Sequence, residues 1–152
     1  APLTGNEMNF YDLLLPEDPG TVVMNGKEYA WNTWGEILNP PTDAQVWATY
    51  KNEFYEGSPA VTFRKLGKGT ITYVGVDSHD GALEKDILKK LYAQLNIPVM
   101  DLPYGVTMEY RNGLGIVLNY SDRPYTFNLP KGGKVLIGTA EIPTAGVLVF
   151  SM

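Results

Sequence analysis

Ala60-Val61-Thr62-Phe63-Arg64-Lys65-Leu66-Gly67-Lys68-Gly69-Thr70-Ile71-Thr72-Tyr73-Val74 sets the reading of the chain. Val61 and Phe63 alternate with Thr62 and Arg64, and Ile71 and Tyr73 alternate with Thr70, Thr72 and Val74. Successive side chains of a strand point to opposite faces, so each run reads as a half-buried strand. The runs flank Gly67-Lys68-Gly69. The stretch predicts an antiparallel hairpin with a three-residue glycine-bearing loop.

Toward the N-terminus, Gln45 to Tyr50 is rich in β-formers, with Val46, Ala48 and Tyr50 on one face and Trp47 and Thr49 on the other. Trp34 to Leu38 is short and amphipathic, and Asn39-Pro40-Pro41 stops it. Asn25-Gly26 is a two-residue hairpin signal between strands predicted over Thr21 to Met24 and Lys27 to Trp31. Phe10 to Leu15 is too short for periodicity to separate a strand from a helical turn. Ala1 to Asn9 is polar and is expected to fray.

Beyond the hairpin, Leu83, Ile87, Leu88, Leu91 and Leu95 fall on one helical stripe, which predicts a helix over about residues 82–95. Ser78 or Asp80 is placed to cap its start, Asp86 and Lys90 form an i,i+4 pair, and Asn96 and Pro98 end it. After Pro103 the pattern is β only. Five short strands are expected, near residues 106–111, 116–120, 125–129, 135–137 and 147–150, separated by Asn112-Gly113, Ser121 to Pro124, Lys131-Gly132-Gly133 and Pro143 to Gly146. The expected fold class is therefore α+β: a mixed α/β layer with one main helix, followed by a small antiparallel β sheet or sandwich. The expected domains are 1–98 and 103–152.

Composition narrows the function. Seventeen acidic residues against 12 Lys plus Arg give a net charge of −5 over 152 residues. With no basic run, nucleic acid and anionic membrane surfaces are not expected partners. There is no cysteine, so thiolate zinc sites and cysteine nucleophiles are excluded; the compartment is not fixed by this.

The single histidine, His79, lies in Val76-Asp77-Ser78-His79-Asp80. It can be read as a base or metal ligand flanked by Asp77 and Asp80, the centre of a small hydrolase. The plainer reading is a strand-to-helix loop whose polar residues cap the helix, and one histidine without a second ligand set is weak for a metal. Glu53 with Glu56, and Glu17 with Asp18, are close in sequence but sit in polar loops. Glu109 reads as a sheet-surface partner of Arg111 or its neighbours. The glycine loops join strand to strand, whereas a phosphate loop leads into a helix. No position is assigned a catalytic, cofactor-binding or metal-binding role. Trp31, Trp34, Trp47, Tyr50, Phe54 and Tyr55 crowd into 25 residues, which suits a core, a protein interface, or a carbohydrate platform built on Trp31, Trp34 and Trp47.

The order of segments resembles a known family. Trp34-Gly35-Glu36-Ile37-Leu38, Ala48-Thr49-Tyr50, Tyr55-Glu56-Gly57-Ser58-Pro59-Ala60-Val61 and Gly67-Lys68-Gly69-Thr70-Ile71-Thr72-Tyr73-Val74-Gly75 are similar to the later part of the trimerisation domain of family 42 β-galactosidases. Gly105 to Arg111, Ile116 to Ser121 and Pro143 to Phe150 resemble the small β domain that ends those enzymes. The resemblance covers about residues 21–150. It implies a C-terminal piece of a glycoside hydrolase that cleaves β-galactosides with retention. The catalytic glutamates of such enzymes lie on an N-terminal (β/α)8 barrel that this chain does not contain. The resemblance also implies an accessory and oligomerisation role, with the parent's barrel as partner and a homo-oligomer expected.

Overall fold

Two compact units make up the chain, residues 1–98 and 99–152. The structure, a computed structural model, describes residues 3–152.

In the first unit the strands are β1 (Glu7–Asp12), β2 (Gly20–Met24), β3 (Lys27–Asn39), β4 (Gln45–Lys51), β5 (Pro59–Leu66), β6 (Gly69–Val74) and β7 (Val76–Ser78), followed by α1 (Ala82–Gln94). They form one antiparallel sheet in the order β1-β3-β2-β4-β5-β6, with β7 returning to pair with β3. Asn25 and Gly26 both take positive φ, as the predicted β2–β3 hairpin requires. The β5–β6 hairpin forms, but Leu66 pairs with Gly69, so its loop is the two residues Gly67-Lys68.

The fold class departs from expectation. Of the described residues 49% are strand and 9% helix, a β-rich protein with several antiparallel sheets rather than a mixed α/β layer. Two segments account for much of the difference. Trp34 to Leu38 continues β3 instead of standing apart, and residues 7–9, expected to fray, open β1, with Glu7 and Met8 paired to β3 and Asn9 at a bulge. Ala1 and Pro2, the rest of that expectation, lie outside the described residues. Both segments become strands because the sheet supplies partners for their backbone groups, a long-range gain that local pattern does not show.

β3 runs for 13 residues by changing direction. Thr33, a β-branched residue at φ 71°, is the bend, and its N–H donates to Leu14 O at 3.1 Å. The half before the bend pairs with β2; the half after it pairs with β1, while Glu36 N–H donates to Gly75 O. Trp31 and Tyr50 fill the centre, edge to face at 5.5 Å, and Tyr50 Oη bonds the carbonyls of Glu36 and Gly75. Gly35 must be glycine here: a Cβ would come within 2.7 Å of the Trp31 ring.

The helix spans 82–94; its N-cap is Gly81 at φ 70° with no side-chain cap bond, so neither Ser78 nor Asp80 takes the expected cap position, although Asp80 Oδ1 accepts the N–H of Ala82. Its stripe is half used. Leu83 and Ile87 enter the core and Leu91 packs against it, whereas Leu88 and Leu95 are exposed. Asp86 reaches across to Lys27 and Tyr29 instead of Lys90, and Lys90 lies over the Trp47 ring. Lys27 is the first cause of a depressed Asp86 carboxyl pKa, Tyr29 the second.

The second unit contains β8 (Val106–Arg111), β9 (Leu114–Asn119), β10 (Tyr125–Thr126), β11 (Lys134–Ile137), β12 (Glu141–Ile142) and β13 (Val147–Ser151). The order β11-β13-β9-β8 makes one sheet, and β10 pairs with β12. β12 is not among the five expected strands, and the run 125–129 is a strand only at its first two residues. Val106, Val117, Phe127, Ile142, Leu148 and Phe150 form the core. Asn119, 1% exposed, ties the loops together. Its Nδ2 donates to the carbonyls of Arg123, Ile142 and Pro143 at 2.8, 3.1 and 3.2 Å, and its Oδ1 accepts from Ser121 N and Oγ.

Candidate functional site

The bend in β3 places functional groups on one outward face of the first unit. Trp34 and Glu36 are two residues apart in β3, and Tyr11 of β1 is the register partner of Glu36, so the three share a face. Tyr11 stacks on Trp34 at 4.7 Å with the rings 11° from parallel. Trp34 Nε1 donates to Glu36 Oε1 at 3.2 Å, and Tyr73 Oη of β6 donates to Glu36 Oε2 at 2.5 Å. That bond, with burial second, pushes the Tyr73 phenol up to about 12. Beside Glu36 opens a cleft of about 500 Å³ lined by Asn6, Glu7, Met8, Glu36, Leu38 and Tyr73 among others. Trp34 is 39% exposed and Tyr11 52%.

A second aromatic group lies further along β1. Phe10 stacks on the exposed Phe54 at 5.6 Å, and Tyr55 Oη donates to Asp12 Oδ2 at 2.6 Å. Burial first, and the Asp12 bond second, raise the Tyr55 phenol pKa.

The residues singled out by sequence are placed differently. Trp31 is fully buried and Trp47 is 7% exposed, stacked on Phe63, so the three tryptophans do not form a common platform. Asp77 is exposed on β7, and His79 and Asp80 are exposed in the turn before α1. Asp80 Oδ1 accepts the N–H of Ala82, and His79 Nδ1 lies 3.1 Å from Asn32 Nδ2. Glu17, Asp18 and Glu56 are exposed, Glu53 is half-buried, and Glu109 faces out on β8. Among the described residues no group of three or more His, Asp or Glu is placed to hold a metal ion, and no helix is long and apolar enough to cross a membrane. Sequence reasoning missed the grouping of Tyr11, Trp34, Glu36 and Tyr73. The only local sign was Trp34-Gly35-Glu36, which becomes same-face spacing once the segment is a strand.

The geometry is that of a β-rich module presenting stacked aromatics and a bonded carboxylate. The family model for the β-galactosidase trimerisation domain matches residues 1–103, and that for the β-galactosidase C-terminal domain matches residues 105–152. The chain belongs to the family 42 β-galactosidases, as the trimerisation and C-terminal domains that are accessory to their catalytic domain.

Among curated relatives, β-galactosidase BgaA of Clostridium cellulovorans is 36% identical over 118 residues, 74% of this chain and 18% of its own length. β-Galactosidase LacA of Lactobacillus acidophilus is 40% identical over 73 residues, 48% of this chain and 11% of its own. The chain thus spans less than a fifth of the length of either. A solved β-galactosidase from the haloarchaeon Halorubrum lacusprofundi superposes with a TM-score of 0.81 at 25% identity, covering 99% of this chain and 23% of that one.

Proposed function

We propose that this chain supports and assembles a β-galactosidase-like glycoside hydrolase whose bond-breaking groups lie on other polypeptide. The observation that carries the reading is the pair of family matches, to a trimerisation domain over 1–103 and a C-terminal domain over 105–152. Residues 1–98 act as the trimerisation-type part and residues 103–152 as the closing β domain. The partners are the catalytic barrel of the parent chain and further copies of the parent. The parent hydrolyses β-galactosides with a nucleophilic and an acid/base carboxylate; no residue of this chain is assigned either role.

The geometry favours a supporting role in two ways. None of the acids flagged by sequence in the first unit, Glu17, Asp18, Glu53, Glu56, Asp77 and Asp80, lines the cleft beside Glu36. Glu36, which lines a cleft together with Glu7, is tied down by Tyr73 and Trp34.

The test is a parent of this family with and without the region homologous to this chain. Velocity sedimentation should show the intact parent assembled and the truncated one dissociated. A truncated parent that still assembles and turns over at the intact rate overturns the proposal.

A further inference from the structure

The geometry points to the cleft lined by β1, β3 and β6 beside Glu36 as a binding site for a neutral pyranose ring, with Glu36 as its hydrogen-bond acceptor and Trp34 bonded to that same carboxylate. The inference goes beyond the supporting role and does not depend on it.

Glu36 is the centre of the argument. Each of its carboxylate oxygens accepts one protein donor, Trp34 Nε1 on Oε1 and Tyr73 Oη on Oε2. An ionised carboxylate has about four acceptor positions. Each oxygen therefore keeps a free lone pair, side by side, in an orientation fixed by two donors that are themselves held in the sheet. Two adjacent acceptors match two vicinal hydroxyl groups. Tyr73 Oη, while donating its hydrogen bond to Glu36, also retains acceptor capacity toward the cleft it lines.

The surroundings match the rest of a sugar ring. A pyranose has an apolar C–H face and a hydroxyl edge, and it needs an apolar surface beside a polar one. Met8, half exposed, lines the cleft next to Glu36 over the buried Leu38, and the Tyr11–Trp34 stack adjoins the same carboxylate. The stack covers one face of each ring and leaves the other available, since both residues are substantially exposed. A volume of about 500 Å³ lies within the roughly 300–1,000 Å³ of small-molecule sites. The charged residues lining the cleft are Glu7 and Glu36, which disfavours an anionic ligand.

The tryptophans make the test internally controlled. Trp31 and Trp47 are buried and Trp34 is exposed, so of the three indole N–H resonances in a 15N-labelled sample Trp34's should respond alone. The chain is titrated with methyl β-D-galactopyranoside and, separately, with arginine amide. Saturable movement of the Trp34 signal by the glycoside, with half-saturation in the millimolar range, is the expected result. Glu36→Gln should weaken it about tenfold or more, the scale of losing hydrogen bonds to a charged group. Unmoved Trp31 and Trp47 signals in that variant certify its fold. No movement at about 100 mM glycoside, roughly a hundredfold beyond a 1 mM constant, overturns the inference. So does an undiminished response in Glu36→Gln, or a response to arginine amide alone, which would make the cleft a cation site.

Discussion

Asn119 offers the sharpest test of how the second unit is held. It is buried at the end of β9, its two N–H groups shared among three carbonyls and its oxygen accepting from Ser121 twice. Asn119→Ala removes two donors and one acceptor. Two N–H groups and two accepted bonds, each shared N–H counted once, at a net 0.5–1.5 kcal/mol each give about 2–6 kcal/mol, and water reaching the more exposed Arg123 and Ser121 groups brings this to about 2–4 kcal/mol. A unit of some 54 residues has roughly 3–8 kcal/mol in total at 0.05–0.15 kcal/mol per residue, so the loss is large. Asn119→Asp separates donor from acceptor. It keeps the oxygen that Ser121 uses, but turns a second oxygen toward three carbonyls and buries a charge, so it should be worse than Ala at neutral pH. The assay is amide exchange of β9 and β13 in each variant, because all three tryptophans lie in the first unit and their fluorescence does not report on the second. An Asp variant as protected as wild type, or an Ala variant losing under about 1 kcal/mol, would refute the reasoning.

The packing and the tyrosines give three further expectations. Gly35→Ala drives a methyl into the Trp31 ring and should cost about 1–3 kcal/mol by denaturant titration of tryptophan fluorescence; no loss would mean the centre of the unit has slack. Tyr50, Tyr55 and Tyr73 all have raised pKa values, chiefly through burial for the first two and through the Glu36 bond for Tyr73. Raised phenols favour the folded state while they stay protonated, so stability should be intact below about pH 10 and fall as the pH climbs toward 12 and beyond. Tyr73→Phe should flatten part of that fall, as read from urea midpoints against pH; an unchanged slope would contradict it. Asp77→Ala combined with His79→Ala should leave the thermal midpoint within a few degrees, because both side chains are exposed and the side-chain bond to the helix's first N–H comes from Asp80. A large loss would give this segment a role beyond leading into the helix.

How much the sequence disclosed depended on the range of the interactions involved. Asn25-Gly26 and Asn112-Gly113 were legible because an I′-type turn needs positive φ at two adjacent residues and few residue pairs provide it. The helix was legible from its leucine spacing, but the spacing did not say which leucines would find partners; Leu88 and Leu95 did not. β1 was hidden because five of its six residues are exposed, so it carries no alternation, and its pairing with β3 is not local. β3 reads as two pieces in the sequence because its bend lies at Thr33, a residue with no intrinsic taste for positive φ. With β3 broken, the helix carried too much weight in the fold class. The same break concealed the Glu36 group, which gathers Tyr11, Trp34 and Tyr73 from three strands. The aromatic cluster was legible, but its division into buried Trp31 and Trp47 and exposed Trp34 is decided by tertiary packing.

The purified 152-residue chain, shown to be folded and assayed with a chromogenic β-galactoside beside a full-length family member at equal molarity, tests the central claim most directly. The account predicts release of chromophore by the full-length enzyme and none above buffer by this chain. Turnover by the chain that disappears when its own carboxylates are replaced would contradict it.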